Sequence, residues 1–232
     1  MLTVLCVILV ITLLLTAFGT GAPPGVRASA PAPAGRLLPT GPPAPEVVAT
    51  LGALRIQLPV AQSRVTAIAY HGPGDGALPL DPLGSQANQG FLSRMFHRLF
   101  GGHSGGLRYY VLEDGSGPAT GALDIGAAPG TDVYSPVDGT IVGLTDFVLD
   151  NRVYGKEIDI QPSAAPSLVV SLTHLRPDAA LTVGSSVAAG TSKLGTVLDL
   201  SGVERQALAR YTQDAGNHVS LEIHPAATLA LP

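Results

Sequence analysis

Apolar and polar positions alternate with a period of two over short runs in the C-terminal half of the chain. That period predicts strands over 107–112, 122–126, 132–134, 139–144, 156–160, 168–174 and 218–223. Turn signals separate the runs, at Pro129-Gly130, Asp138-Gly139 and Val183-Gly184. The period changes once. Residues 203–211 follow Ser201, a good N-cap, and read as a short helix. Further upstream, 54–58 and 65–70 alternate like strands, and a turn-rich stretch follows from His71 to Gly76. Phe91, Leu92, Met95, Phe96, Leu99 and Phe100 then recur at helical spacing, with Arg94, His97 and Arg98 between them. Such a stripe reads as a short amphipathic helix packed on its own domain rather than on a membrane. Short, closely spaced strands with one helix predict an all-β barrel or sandwich carrying a short helical insertion.

The first part of the chain has another character. Residues 2–18 are apolar apart from Thr3, Thr12 and Thr16, and the first charged side chain is Arg27. At about 1.5 Å per residue, such a run just crosses a bilayer core. A cleaved signal needs a basic n-region, which is lacking, and Gly19-Thr20-Gly21-Ala22 is only a fair cleavage stretch. The reading favoured here is a single-pass anchor with the C-terminal bulk outside the cytoplasm; the alternative is a secreted chain released by cleavage. Cys6 lies inside the apolar run and stands too early for a lipoprotein motif. From Gly21 to about Pro45 a Pro/Ala/Gly tract reads as an extended spacer. The expected organisation is therefore an anchor or signal over 1–20, a linker over 21–46, an extension over 47–106 and a β domain over 107–232.

Charge narrows the partners. Only 13% of residues are charged and the net charge is −4, a poor match to the clustered basic face of nucleic-acid binders, so no nucleic-acid partner is expected.

Within the β segment, Ala122-Leu123-Asp124-Ile125-Gly126 runs into Pro129-Gly130-Thr131-Asp132-Val133 and then Ser135-Pro136-Val137-Asp138-Gly139-Thr140-Ile141-Val142. Ser171-Leu172-Thr173-His174-Leu175 follows, then Val187-Ala188-Ala189-Gly190 and Leu194-Gly195-Thr196-Val197, and finally Asn217-His218-Val219-Ser220-Leu221-Glu222-Ile223. In this order, from about residue 107 to 223, they resemble the lysostaphin/LytM-type zinc endopeptidases, which cut peptide cross-bridges in bacterial cell walls. The resemblance implies a duplicated hybrid-motif β fold, with 202–216 as an insertion before the closing strand.

It also implies a zinc site, and here the chain departs from the pattern. The family holds zinc with a His, an Asp four residues on, and the second His of a closing His-x-His. Asp124 matches the carboxylate, whereas Thr120 and Ser220 stand where the two His belong. His174 and His218 match the two assisting histidines. A hydroxyl is a poor zinc ligand beside imidazole, so the expected cofactor is none, with zinc implied only if the chain is active. The expected function is a non-catalytic module whose groove uses Asp124, His174, His218 and Glu222 to bind cell-wall peptide or a cell-wall hydrolase. The alternative is a zinc peptidase with a rearranged site of Asp124, His174 and His218. Such a site has other imidazoles to draw on: His224, two residues beyond Glu222, and His71, His97 and His103 in the preceding segment. A second resemblance, of Ser135–Thr140 to the hairpin of biotinyl and lipoyl carriers and membrane-fusion adaptors, gives a third function class, and a carrier needs a lysine at a hairpin tip. Lys193 is the one candidate, and its surroundings lack the Met-Lys pairing.

Overall fold

The computed structural model describes residues 41–72, 76–88, 107–112 and 118–228. The apolar run over 2–18, most of the Pro/Ala tract and the stripe over 91–100 with His97 and His103 lie outside the described residues. Among the described residues no helix is long and apolar enough to cross a membrane.

Among the described residues there are fourteen strands. They are β1 (Val47–Leu51), β2 (Leu54–Gln57), β3 (Val65–His71), β4 (Asp81–Pro82), β5 (Ser85–Gln86), β6 (Arg108–Val111) and β7 (Ala122–Ala127), followed by β8 (Asp132–Tyr134), β9 (Gly139–Leu149), β10 (Arg152–Pro162), β11 (Leu168–Pro177), β12 (Ser186–Val187), β13 (Lys193–Val197) and β14 (His218–Pro225). The large sheet runs β12-β9-β10-β11-β14-β7-β3-β6-β5, with β13 joining β11 to β8. A small sheet runs β2-β1-β4. The all-β architecture is therefore the one that the period-two runs predict, with longer strands at β9, β10 and β11 and with β1, β4, β5, β12 and β13 as strands that the pattern did not signal.

Alternation explains which face packs. Leu123, Ile125, Leu172, Val219, Leu221 and Ile223 point to one side of the sheet and are fully buried in the main core. Val48, Leu54, Ile56 and Leu58 from the small sheet enter the same core. Tyr70 crosses between the two sheets, its hydroxyl donating to the Val48 carbonyl at 2.9 Å. Burying each such aliphatic side chain contributes about 1.5–3 kcal/mol.

The helix expected over 203–211 is not formed. A single 3-10 turn at Ala207–Arg210 stands in its place. Ser201 does not cap it, because its hydroxyl donates to Asp199 Oδ1 at 2.6 Å. An isolated nine-residue helix is marginal in water unless one face is buried, and here Leu208 is the only hydrophobic side chain of the 3-10 turn that becomes buried. Leu208 docks with Ala67, Ala69 and Leu112 against the outer side of the large sheet, and Tyr211 stacks on Tyr110 at 4.3 Å between centroids.

Candidate functional site

Strand register assembles a polar row on the face opposite the core. Ser220 on β14 lies across from Asp124 on β7 and from Thr173 on β11. One step along, Glu222 faces Ser171 and Ala122, and Ala122 in turn faces His71 at the end of β3. Since side chains alternate along each strand, His71, Asp124, Ser171, Thr173, Ser220, Glu222 and His218 share one surface. They line a cleft of about 640 Å³. The β9–β10 hairpin contributes Phe147, Leu149 and Glu157 to it, and the insertion contributes 204–207.

Asp124 anchors one end and is only 3% exposed. His71 Nε2 lies 3.3 Å from both carboxylate oxygens. The other ring nitrogen, Nδ1, donates to the Gly72 carbonyl at 2.7 Å. Both ring nitrogens of His71 thus face acceptors, and the bond to Asp124 raises its pKa to about 9, against the opposing effect of burial. His218 Nδ1 donates to the Gly216 carbonyl at 3.0 Å, which leaves Nε2 3.6 Å from Asp124 Oδ1. Ser220 completes the set with a hydrogen bond to the same carboxylate. Burial works to raise the Asp124 pKa, but His218, His71 and Ser220 together hold it well below the usual carboxylate range.

His174 forms the other end. Its φ is +63°, a left-handed conformation that few non-glycine residues adopt and that concentrates at functional sites. The turned backbone brings the ring into the cleft, with centroids 4.6 Å from His218 and 4.8 Å from Phe147. Nε2 lies 3.9 Å from Glu204 Oε1, and the Thr173 hydroxyl sits 3.2 Å from Nδ1. Burial, then the neighbouring His218, push its pKa down to about 3. His174 is thus a neutral imidazole at physiological pH.

A third group lies beside Glu222. His224 Nε2 donates to Glu222 Oε2 at 3.1 Å, and this bond raises the pKa of His224. Glu157 is raised in turn by burial and by the neighbouring Asp159.

The structure thus brings Asp124, His174, His218 and Glu222 into one cleft. Of the two substituted positions, Ser220 lies in the cleft, whereas Thr120 lies in the turn before β7, where its carbonyl accepts from Leu80 N–H at 2.9 Å. His71 reaches Asp124 from β3, across the sheet from the position where the family places its first His. Sequence reasoning did not single out Phe147, Glu157, Ser171 or the residues 204–207 as site residues. Each enters through tertiary pairing, which no local pattern signals. Lys193 lies apart from the cleft, tied to Asp132 at 2.6 Å.

The zinc that the resemblance implies does not fit this donor set. At the three positions where the resemblance places ligands the chain offers Thr120, Asp124 and Ser220, two of them hydroxyls, and Asp124 accepts from His71 and Ser220. Among the described residues no three His, Cys, Asp or Glu side chains are placed to hold a metal ion.

No protein-family model matches the chain, and no curated protein matches it. Solved structures do. The fold is similar to lysostaphin, with 16% identity over 47% of this chain and 38% of that one and a TM-score of 0.34. It is similar to Csd3 of Helicobacter pylori, with 17% identity over 77% of this chain and 32% of that one and a TM-score of 0.39. It is also similar to a chain of the SpoIIQ–SpoIIIAH pore-forming complex, with 16% identity over 72% of this chain and 82% of that one and a TM-score of 0.38. The likeness is one of fold. The match spans 38% of lysostaphin and 32% of Csd3.

Proposed function

We propose that this chain is a non-catalytic LytM-like module that acts outside the cytoplasm and binds cell-wall peptide or a cell-wall hydrolase. The observation that carries this reading is the state of Asp124. Its carboxylate is committed to internal partners, while the two helper imidazoles, His174 and His218, line a cleft of about 640 Å³. A neutral, desolvated His174 offers hydrogen bonding without charge, which suits recognition of peptide groups. The apolar run over 2–18 and the Pro/Ala tract behind it support an anchor and a spacer that hold the module away from a membrane.

The test is elemental analysis of the full chain after zinc-replete dialysis, paired with calorimetric titration of a wall stem tetrapeptide. The expected outcome is no retained zinc, together with tetrapeptide binding that His174→Ala weakens. Zinc at about one per chain, lost in Asp124→Ala and accompanied by release of new amino termini from wall peptide, overturns this reading in favour of a zinc peptidase.

A further inference from the structure

Strand β9 is much longer than its outer neighbour. β12 covers only Gly139 and Thr140, and the turn at Gly184–Ser185 exchanges backbone hydrogen bonds with Ile141. Beyond that point, among the described residues, the outer edge of β9 has no strand partner and no backbone hydrogen bond as far as Leu149. On its inner side the same stretch pairs with β10, with one bulge at Tyr154, and is closed by a two-residue turn with Asp150 and Asn151 both at positive φ. A regular strand with one bare edge is a template for a further strand. The usual protection is slight. The stretch 143–149 holds no Pro, and its one charge, Asp146, is tied to Lys156 at 2.6 Å on the neighbouring strand.

The two faces of this arm differ in a way that selects a partner. Phe147 and Leu149 line the cleft. Val148 and Val153 are directly opposed on the two strands and are 49% and 59% exposed. An added strand places alternate side chains beside Phe147 and Leu149 and the others beside Val148. It also carries its main chain directly from the edge to the cleft wall.

We infer that the outer edge of β9, over 143–149, docks an extended L-polypeptide segment of a partner protein, with apolar residues at alternate positions, by strand addition. The inference rests on the binding-module reading and adds to it a protein partner at the strand edge beside the cleft. A wall peptide that mixes D and L residues has mirrored φ preferences at successive positions, and so does not lay down an even ladder.

The test uses the full chain and a nine-residue L-peptide of alternating Val and Thr with lysines at both ends. Two further versions carry N-methyl groups on alternate residues, in opposite phases. Hydrogen exchange is read at those alternate backbone amides of 143–149 that point away from β10. The expected result is fast exchange at these amides in the free chain and slowed exchange there with the peptide. One N-methyl phase is expected to lose affinity about tenfold or more and the other to keep it, because only one phase removes the donors that face β9. Val148→Lys is expected to weaken binding without lowering the melting temperature. Equal binding by both N-methylated peptides overturns the inference, as does failure of any version to bind at millimolar concentration. Slow exchange in the free chain overturns it too, with sedimentation assigning the cover to this chain's own residues in a monomer or to a second copy in a dimer. Protection confined to the floor around His174 and His218 overturns strand addition and leaves the binding-module reading standing.

Discussion

The two ends of the cleft treat ionisable side chains in opposite ways. At the Asp124 end, buried groups keep their charge because each has a partner: the carboxylate accepts from His71 and Ser220, and His71 donates at both nitrogens. At the His174 end, the same degree of enclosure comes without an opposing charge in hydrogen-bonding range, and the imidazole is held neutral. Burial alone therefore does not set protonation in this cleft. Partner geometry does, and the contrast separates an end whose groups are internally paired from one whose imidazole has no charged partner in hydrogen-bonding range.

The largest effect follows from cutting the internally paired end. Asp124→Ala leaves His71 half-buried with its acceptor gone, and breaking a buried pair from one side costs about 3–4 kcal/mol. Urea unfolding should show a midpoint shift of that size. His71→Gln should cost less, because the amide still donates to the carboxylate. Equal losses in the two variants would mean that His71 contributes packing and not charge.

Next in size is the pH dependence, whose two limbs come from the two ends. The folded-state pKa of His71 is raised from 6.5 to about 9, so its stabilisation is complete below 6.5 and lost as pH rises through 9. At about 1.36 kcal/mol per unit, that limb is worth at most about 3 kcal/mol. His224 is also raised by Glu222 and adds to the same limb. His174 works in the other direction. Its folded pKa is lowered from 6.5 to about 3, so the unfolded chain binds a proton that the folded chain refuses, and stability falls as pH drops from 6.5 toward 3. Asp124 is depressed and adds its own loss at still lower pH, through the carboxylate range. The melting temperature should peak near pH 6.5. His71→Gln should flatten the alkaline limb alone, leaving the part due to His224, and His174→Asn should flatten the acid limb above the carboxylate range.

Much of this arrangement was legible in the sequence, for a local reason. A strand's period of two fixes which residues share a face, so His218, Ser220 and Glu222 could be placed together before any fold was known, while Asp124 joined them only through the family resemblance. His71 was visible only as one of several imidazoles upstream. Its approach to Asp124 depends on β3 pairing with β7, a contact between residues 53 positions apart. The turned backbone at His174 left no trace in the pattern, because Thr173 and His174 alternate like any strand pair. The insertion was misjudged for a related reason. Residues 203–211 carry helix-forming side chains, but what they can bury is decided by the sheet beneath them.

That insertion gives the third effect. Leu208 packs over Gly126, where an added Cβ would meet Leu208 Cδ2 at 2.8 Å, Thr66 Oγ1 at 2.6 Å and the Ala67 backbone nitrogen at 3.2 Å. Gly126→Ala should therefore lift the insertion off the sheet, at about 1–3 kcal/mol for the overpacking. The insertion supplies Glu204 to His174, so the variant should also disturb the His174 end more than the Asp124 end. Imidazole carbon-bound proton shifts, followed by NMR, distinguish the two. A larger change at His71 than at His174 would place the insertion's influence at the wrong end.

The smallest effect on stability belongs to His174 itself. Its φ of +63° disfavours most side chains, and asparagine is among the residues that best tolerate that region. His174→Asn relieves part of the backbone cost and gives up ring contacts with Phe147 and His218, each worth about 0.5–1.5 kcal/mol. The two nearly cancel, so the net change in unfolding free energy should stay within about 1 kcal/mol. Ligand binding should fall far more, since the variant removes the neutral imidazole that the cleft presents. Asp124→Ala has the reverse profile, costly to the fold before any ligand is added. A His174→Asn variant that destabilises by several kcal/mol would erase the contrast and make both ends structural.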